Sequence, residues 1–236
     1  MIQHTLNYSL HNGVNLLGFP LQLEDPSLES VFGTSGTIFE VVGEGQAANL
    51  FNETWVGSLD EINPLSSYWV KVDGSTEISI TGTSIGTPEY SVHYGANLLS
   101  FPGNDEIPIS EAMEGVGEGI HEIIGEGAAA LRLENGQWAG SLDYLKPTNG
   151  YWFLANQAMT FTFNAVPFQQ YEDEGPDVWT WQFRECMGIM RNINRNSEDN
   201  SVDQNAVNRL CHRMIDLGWI PRVSPVTEED ELEVPE

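Results

Sequence analysis

The chain repeats itself, and this duplication limits what it can fold into more than any other feature of the sequence. A block that starts at His11 recurs at His93, an offset of 82 residues. Three more blocks recur in the same order, and together they predict two tandem copies of one module. The matched blocks are 11–20 and 93–102, 41–48 and 123–130, 55–60 and 138–143, and 68–69 and 151–152.

The offset between the copies grows by one residue between Ala130 and Trp138, because Trp55 recurs 83 residues later. The same interval contains Asn135-Gly136, a dipeptide typical of tight hairpins. A hairpin tip tolerates insertions well, so we expect the extra residue there.

Each copy has the pattern of about six short strands and one short helix. Apolar runs such as Asn15 to Phe19 are bounded by turn residues, and later segments alternate with period two. The stretches 26–33 and 108–115 each begin with proline and end with glycine, which predicts a helix with proline at its first position. We predict a mainly β chain of two small antiparallel modules, each a sandwich or a partly open barrel.

We place the first module at residues 1–87, the second at 88–166, and a different segment at 167–236. This last segment reads as a linker, a helix–loop–helix and an acidic tail. Two amphipathic helices of this size cannot bury their apolar stripes alone, so they must pack on the modules, on a second copy or on another protein. The predicted partner-docking residues are Trp179, Phe183, Met187, Met190, Leu210, Met214 and Trp219.

The charge balance argues against nucleic acid as a partner. Nine basic residues stand against 35 acidic ones, a formal net charge of −26. Such a surface repels phosphate backbones, although arginines in the C-terminal helices would otherwise suggest DNA binding. No apolar run is long enough for a membrane span. The first residues lack the pattern of a signal peptide, so we expect synthesis in a host cytoplasm without export by that route.

A Gly-Glu-Gly motif occurs at equivalent positions in both copies. Flanking glycines indicate unusual backbone angles or close approach by another segment. The glutamate could cap backbone amides or bind a hard cation such as calcium, but one carboxylate per turn is a small ligand set. We therefore favour structural turns, formed by Gly43, Glu44 and Gly45 and by Gly125, Glu126 and Gly127.

Aromatic residues also recur at equivalent positions. Adjacent residues of a strand face opposite sides, so one ring of each Tyr-Trp pair can enter the core while the other faces out. These rings pack the core and the contact between modules, or they form a platform for a sugar or a partner protein. The candidate binding residues are Trp55, Tyr68, Trp69, Trp138, Tyr151 and Trp152.

Nothing in the chain matches a nucleophile elbow, a phosphate-binding glycine loop or a metalloprotease helix. We predict no enzymatic activity, no catalytic residues, no cofactor and no metal.

The repeated blocks resemble repeat modules in surface and virion proteins of marine bacteria and their tailed phages, including cyanophages. The resemblance covers about residues 11–163 and is carried by 97–102, 124–130, 55–59 and 150–152. The first copy departs from the pattern at Ser67, where the second has Gly150. The resemblance implies display and assembly units and implies nothing about residues 167–236.

We therefore predict a virion structural protein of a tailed phage, an accessory capsid (decoration) protein or a tail protein. Its helical C-terminus would mount it on the particle, so its partners would be other structural proteins, bound through residues 167–236. A homo-oligomer is a further option. The alternative is a carbohydrate- or receptor-binding adhesin that holds a surface glycan with its paired aromatics.

Overall fold

The repeated blocks form strands in the same order in both copies. A computed structural model describes residues 1–169, and these belong to one compact unit. The first copy contains β1 (Gln3–Leu10), β2 (Gly13–Gly18), β3 (Leu21–Gln22), α1 (Leu28–Phe32), β4 (Ile38–Gly43), β5 (Gln46–Phe51), β6 (Thr54–Gly57), β7 (Ser67–Val72) and β8 (Thr76–Ser84).

The second copy follows the same plan. It contains β9 (Tyr90–Val92), β10 (Gly95–Ser100), β11 (Ile107–Pro108), α2 (Ile109–Ala112), β12 (Ile120–Gly125), β13 (Ala128–Arg132), β14 (Trp138–Gly140), β15 (Tyr144–Leu145), β16 (Gly150–Ala155) and β17 (Met159–Phe161). The prediction of a mainly β chain with antiparallel sheets is confirmed. There are more strands than the six expected per copy, because two-residue strands such as β3 and β15 are too short to show periodicity.

Each copy is built on a five-stranded sheet with the same strand order. The orders are β2-β7-β4-β5-β6 in the first copy and β10-β16-β12-β13-β14 in the second. Each copy also has a smaller sheet. In the first copy this sheet has three strands in the order β1-β8-β3, and in the second copy it has two, β17 and β9. Even a register shift recurs, at Ile38/Glu40 and at Ile120/Glu122. The duplication seen in the sequence is therefore a duplication of topology.

The outermost hairpins of the two sheets differ in length. Strands β5 and β6 are joined by Asn52 and Glu53, which have φ of 48° and 61°. Strands β13 and β14 are joined by residues 133–137, where the Leu133 amide donates to the Gln137 carbonyl and Gly136 has φ of 81°. The interval with the extra residue is this longer connection.

Both short helices begin after the expected proline, α1 two residues later at Leu28 and α2 one residue later at Ile109. In α1 the N-cap is Ser27, whose hydroxyl accepts from the Ser30 amide at 3.3 Å. Pro26 therefore precedes the cap, and Pro108 occupies the position before Ile109, the first residue of α2. The prediction that proline is the first helical residue is wrong. In α1 the capping oxygen comes from Ser27, and in α2 Pro108 is itself the N-cap, without a side-chain capping bond.

Two hydrophobic clusters form the cores. One joins residues between Tyr8 and Ile80 and also takes in Phe168, and the other joins residues between Tyr90 and Phe163. In the second cluster, the Phe163 ring packs edge-on against Phe101 and Phe153, with centroids 5.4 and 5.5 Å apart. Such edge-to-face packing adds to area burial.

A buried asparagine closes the turn that leads into the first strand of each five-stranded sheet. The Asn97 side chain accepts from the His93 amide at 2.9 Å and donates to the His93 carbonyl at 2.9 Å. Asn15 makes the same two bonds with His11, each at 3.0 Å. Both turns contain a glycine with φ near 100°, Gly13 at 103° or Gly95 at 102°. The repeated His-x-Gly-x-Asn pattern is thus one turn, which fixes the position of its histidine.

The segment after the second copy packs on the described unit at its start. Phe168 is 8% exposed and lies against His4, with ring centroids 5.2 Å apart. Pro167 forms an isolated bridge with Gly103. Residues 167–169, predicted to belong to the linker, therefore contact the modules. The two predicted helices and the acidic tail lie outside the described residues.

Replacing Asn97 with alanine should lower the free energy of unfolding by about 1–3 kcal/mol, because the backbone groups of His93 lose their buried partner. Urea denaturation followed by circular dichroism measures the change. Asn49→Ala, at an exposed position of β5, is the control and should change stability by less than about 0.5 kcal/mol. Equal losses for the two variants would contradict this role of Asn97.

Candidate functional site

The two Gly-Glu-Gly motifs form the tight turns β4–β5 and β12–β13. Gly45 and Gly127 have φ of 73° and 71°, a region that favours glycine. In the first motif, the first glycine is needed for a different reason. A Cβ on Gly43 would lie 3.0 Å from the Tyr68 ring, so the turn can rest on that tyrosine only without a side chain. The predicted structural turns have this geometry, and they leave the glutamate pointing away from its own module.

Each motif glutamate contacts the other module. Glu44 of the first copy accepts from the Leu98 amide at 2.8 Å and contacts His93 Nε2 at 2.5 Å. Glu126 of the second copy accepts from the Leu16 amide at 2.8 Å and contacts His11 Nε2 at 2.5 Å. The two contacts are reciprocal, so an approximate twofold axis relates the modules. We call these two Glu–His–amide groups the latches.

The geometry of each latch histidine calls for a doubly protonated ring. In His11 the second nitrogen, Nδ1, lies 2.8 Å from the carbonyl oxygen of Asn12. His93 Nδ1 lies 2.8 Å from the Tyr94 carbonyl in the same way. A carbonyl and an ionised carboxylate can only accept, so both ring nitrogens must donate, which only the imidazolium can do.

This arrangement raises the pKa of both latch histidines. The pKa of His11 is raised by its bonds to the Asn12 carbonyl and the Glu126 carboxylate. The pKa of His93 is raised by its bonds to the Glu44 carboxylate and the Tyr94 carbonyl. Because the charged form is favoured in the folded protein, the latches stabilise the fold most at a pH below the ordinary histidine value.

Backbone bonds beside the latches continue the contact between the modules. The Gly18 amide donates to the Thr148 carbonyl at 3.2 Å, and the Ser100 amide donates to the Leu65 carbonyl at 3.1 Å. Isolated bridges join Leu17 to Asn149 and Ser66 to Leu99. We call this contact, with the latches, the seam.

Near the approximate twofold axis, the two copies have different residues at equivalent positions, and these residues are complementary in size. Ser67 donates to the Leu99 carbonyl at 2.6 Å, while its counterpart Gly150 leaves room, since a Cβ there would lie 2.7 Å from the Ser67 Cβ. Ser100 donates to the Pro64 carbonyl, while its counterpart Gly18 has no space for a Cβ, which would lie 2.7 Å from the Asn149 oxygen. In each pair of counterparts, one copy has a serine that bonds across the seam and the other has a glycine where a Cβ would not fit.

The candidate aromatic residues divide between the core and the surface. Tyr68 and Tyr151 are 3% and 1% exposed, and their hydroxyls accept from the Asn63 and Lys146 amides at 2.7 Å. Burial raises the pKa of both phenols. Rings buried to this degree offer no face to a ligand.

The four tryptophans among the candidate residues are half-buried. Trp69 and Trp152 are paired across strands with Leu16 and Leu98. These leucines are each 2% exposed but belong to neither core cluster. They lie on the face of the sheet opposite to that of Tyr68 and Tyr151, as alternation along a strand requires. Trp55 and Trp138 lie on the outermost strands β6 and β14.

The latch histidines had no assigned role in the sequence analysis. Their recurrence at equivalent positions was visible, but a contact between residues 11 and 126 has no local signal. The structure also leaves no group of three or more His, Cys, Asp or Glu that could hold a metal ion within residues 1–169. The predicted docking residues from Trp179 to Trp219 lie outside that range.

Comparisons with protein-family models, curated proteins and solved structures found no match to this chain. No helix of the described residues is long and apolar enough to cross a bilayer.

The latches should make stability fall as the pH rises above about 6.5, the ordinary histidine value. In the folded state both histidine pKa values are raised, so the stabilisation is complete below pH 6.5 and is lost as the pH passes the folded-state values. Urea denaturation between pH 6 and 9 measures this. The double variant His11→Gln/His93→Gln should flatten the profile.

In the same experiment His4→Gln is the control. This residue contacts the Gln169 carbonyl and is not part of a latch, so its variant should keep the wild-type slope. An unchanged slope in the double variant would contradict the latch model.

Gly150→Ala should destabilise the protein by about 1–3 kcal/mol, because the added Cβ would overlap Ser67 and the Leu17 carbonyl. The additional change Ser67→Gly should restore part of the loss by removing the Ser67 side chain. Thermal denaturation measures both effects. Gly117→Ala, where a Cβ meets nothing within 4 Å, is the control and should be neutral.

Proposed function

We propose that the chain is a non-enzymatic structural protein whose two modules act as one rigid block. The observation that carries this proposal is the reciprocal seam. The motif residues repeated in both copies are used to form turns and to join the modules, through Glu44 and Glu126 and their bonds to His93 and His11. A motif used in this way holds the fold together. This supports a structural role for the repeated residues in preference to a catalytic one.

We propose further that the block belongs to the virion of a tailed phage, as an accessory capsid or tail protein. The resemblance of the repeats to virion and surface modules supports this, and so does the strongly acidic composition, with a net charge of −26. The apolar stripes predicted in residues 167–236 need a partner, and we assign them to docking on other proteins of the particle. Made in the host cytoplasm, the chain would then be incorporated during assembly.

We also infer that each module is a small sandwich or a partly open barrel. In the first module, Tyr8 of β1 and Ile80 of β8 share one hydrophobic cluster with Val41 of β4 and Val70 of β7. A small sheet thus faces the five-stranded sheet across a common core, the arrangement from which sandwiches are built.

The alternative function, a carbohydrate- or receptor-binding adhesin, loses two of its six candidate residues, one in each module, because Tyr68 and Tyr151 are buried. The half-buried tryptophans stay available for it. One specific cleft in the second module favours this alternative.

Particles purified from infected cells should contain the chain, and deletion of residues 170–236 should abolish its incorporation while residues 1–169 stay folded. The deletion starts after Gln169 because Phe168 packs in the first core. Mass spectrometry of purified particles measures incorporation, and circular dichroism checks folding.

A shorter deletion, of the acidic tail 227–236, is the control and should leave incorporation unchanged. Undiminished incorporation of the 1–169 fragment would refute docking through the C-terminal segment. A chain abundant in the lysate and missing from the particles would refute the virion assignment.

A further inference from the structure

A cleft of about 310 Å³ opens in the second module, where β14 and β15 meet the start of α2. Its lining includes Trp138, Tyr144, Asp143, Ser110, Pro108 and Leu142. The volume is at the lower end of the range for small-molecule sites, which suits one or two sugar rings. The cleft lies on the outer strands and does not involve the latch residues.

Trp138 is free to contact a ligand in a way that its counterpart is not. In the first module the Trp55 indole N–H donates to the Gly33 carbonyl at 3.0 Å, and its ring packs against Phe32 with centroids 6.1 Å apart. Within residues 1–169 the Trp138 indole has neither a hydrogen-bond acceptor nor an aromatic neighbour. The tryptophan packs against the core of its module in both copies, but only in the first copy does its indole N–H bond within the module, and in the second copy its ring also lines the cleft.

A second aromatic ring occurs at this cleft only in the second copy. Tyr144 is 49% exposed and stands where the first copy has Glu61. Strand β15 holds it through the pairing of Tyr144 with Pro108. A rigid aromatic pair with polar edges provides contact area at a low cost in conformational entropy.

Polar groups for hydroxyl recognition lie at the same cleft. Asp143 and Ser110 are exposed, and the Asp143 main chain is held by a bond from the Ile109 amide at 2.9 Å. A sugar ring has apolar C–H faces and hydroxyl edges, so it needs both an aromatic surface and acceptors. The chain's net charge of −26 repels anionic sugars and leaves neutral ones as ligands.

We propose that this cleft binds a neutral pyranose ring of a glycan, with the ring against Trp138 and Tyr144 and its hydroxyls bonded to Asp143 and Ser110. The proposal gives the adhesin alternative a particular site in the second module alone. It does not depend on incorporation into a virion, so either proposal can fail without the other.

The probes are methyl pyranosides of glucose, galactose, mannose and N-acetylglucosamine, titrated into the full-length protein. Two-dimensional NMR of the tryptophan indole N–H groups reports the site, with the Trp138 signal assigned by its loss in Trp138→Phe. At least one neutral pyranoside should shift the Trp138 signal and leave the Trp55 signal in place. Methyl glucuronide, which carries a carboxylate, should bind at least about tenfold more weakly.

Tyr144→Ala and Asp143→Asn should each weaken this binding by about tenfold. Glu61→Ala, the equivalent change in the first module, is the matched control and should have no effect. Asp143→Asn, which keeps the size and shape of the side chain, keeps the test decisive if Tyr144→Ala fails to fold. The proposal is overturned if no neutral pyranoside shifts the Trp138 signal, if both variants bind as the wild type does, or if the glucuronide binds equally well.

Discussion

The exposed backbone of an edge strand is the constraint on which the rest of this structure depends. Strands β2 and β10 are the first strands of their sheets, and their outward amides would otherwise be open to pairing with another chain. Here Glu126 and the Thr148 carbonyl cover the amides of Leu16 and Gly18, and equivalent groups of the first module cover β10. Each module therefore completes the sheet edge of the other.

This exchange explains why the repeated residues are of these types. The buried asparagine holds the histidine, the histidine meets the glutamate of the other copy, and the two glycines allow the turn that carries that glutamate. The seam joins the two copies, and it contains two Glu–His pairs, Glu126 with His11 and Glu44 with His93. Each of the two histidine rings has an acceptor beside both of its nitrogens, which favours the charged form of the ring.

Duplication within one chain also permits differences that two identical chains could not have. Close to the axis, counterparts face each other, and a Cβ on Gly150 would meet Ser67, while a Cβ on Gly18 would meet the Asn149 carbonyl first and then Ser100. Farther from the axis, the first copy keeps Trp55 for internal bonds, while the second leaves Trp138 beside a cleft. In both cases, positions that are equivalent in the repeat make different contacts in the two copies.

Local patterns in the sequence predict the duplication, the mainly β class, the turns at Gly-Glu-Gly and the division of each Tyr-Trp pair between the two faces of its strand. These follow from local rules: recurrence, strand alternation and the backbone freedom of glycine. The bonds of Glu44 to the other module, and the close approach of Ser67 to Gly150, become visible only in the folded chain. Those contacts join residues that lie dozens of positions apart in the sequence. Composition and periodicity are local properties, so they do not predict which distant strands pack together.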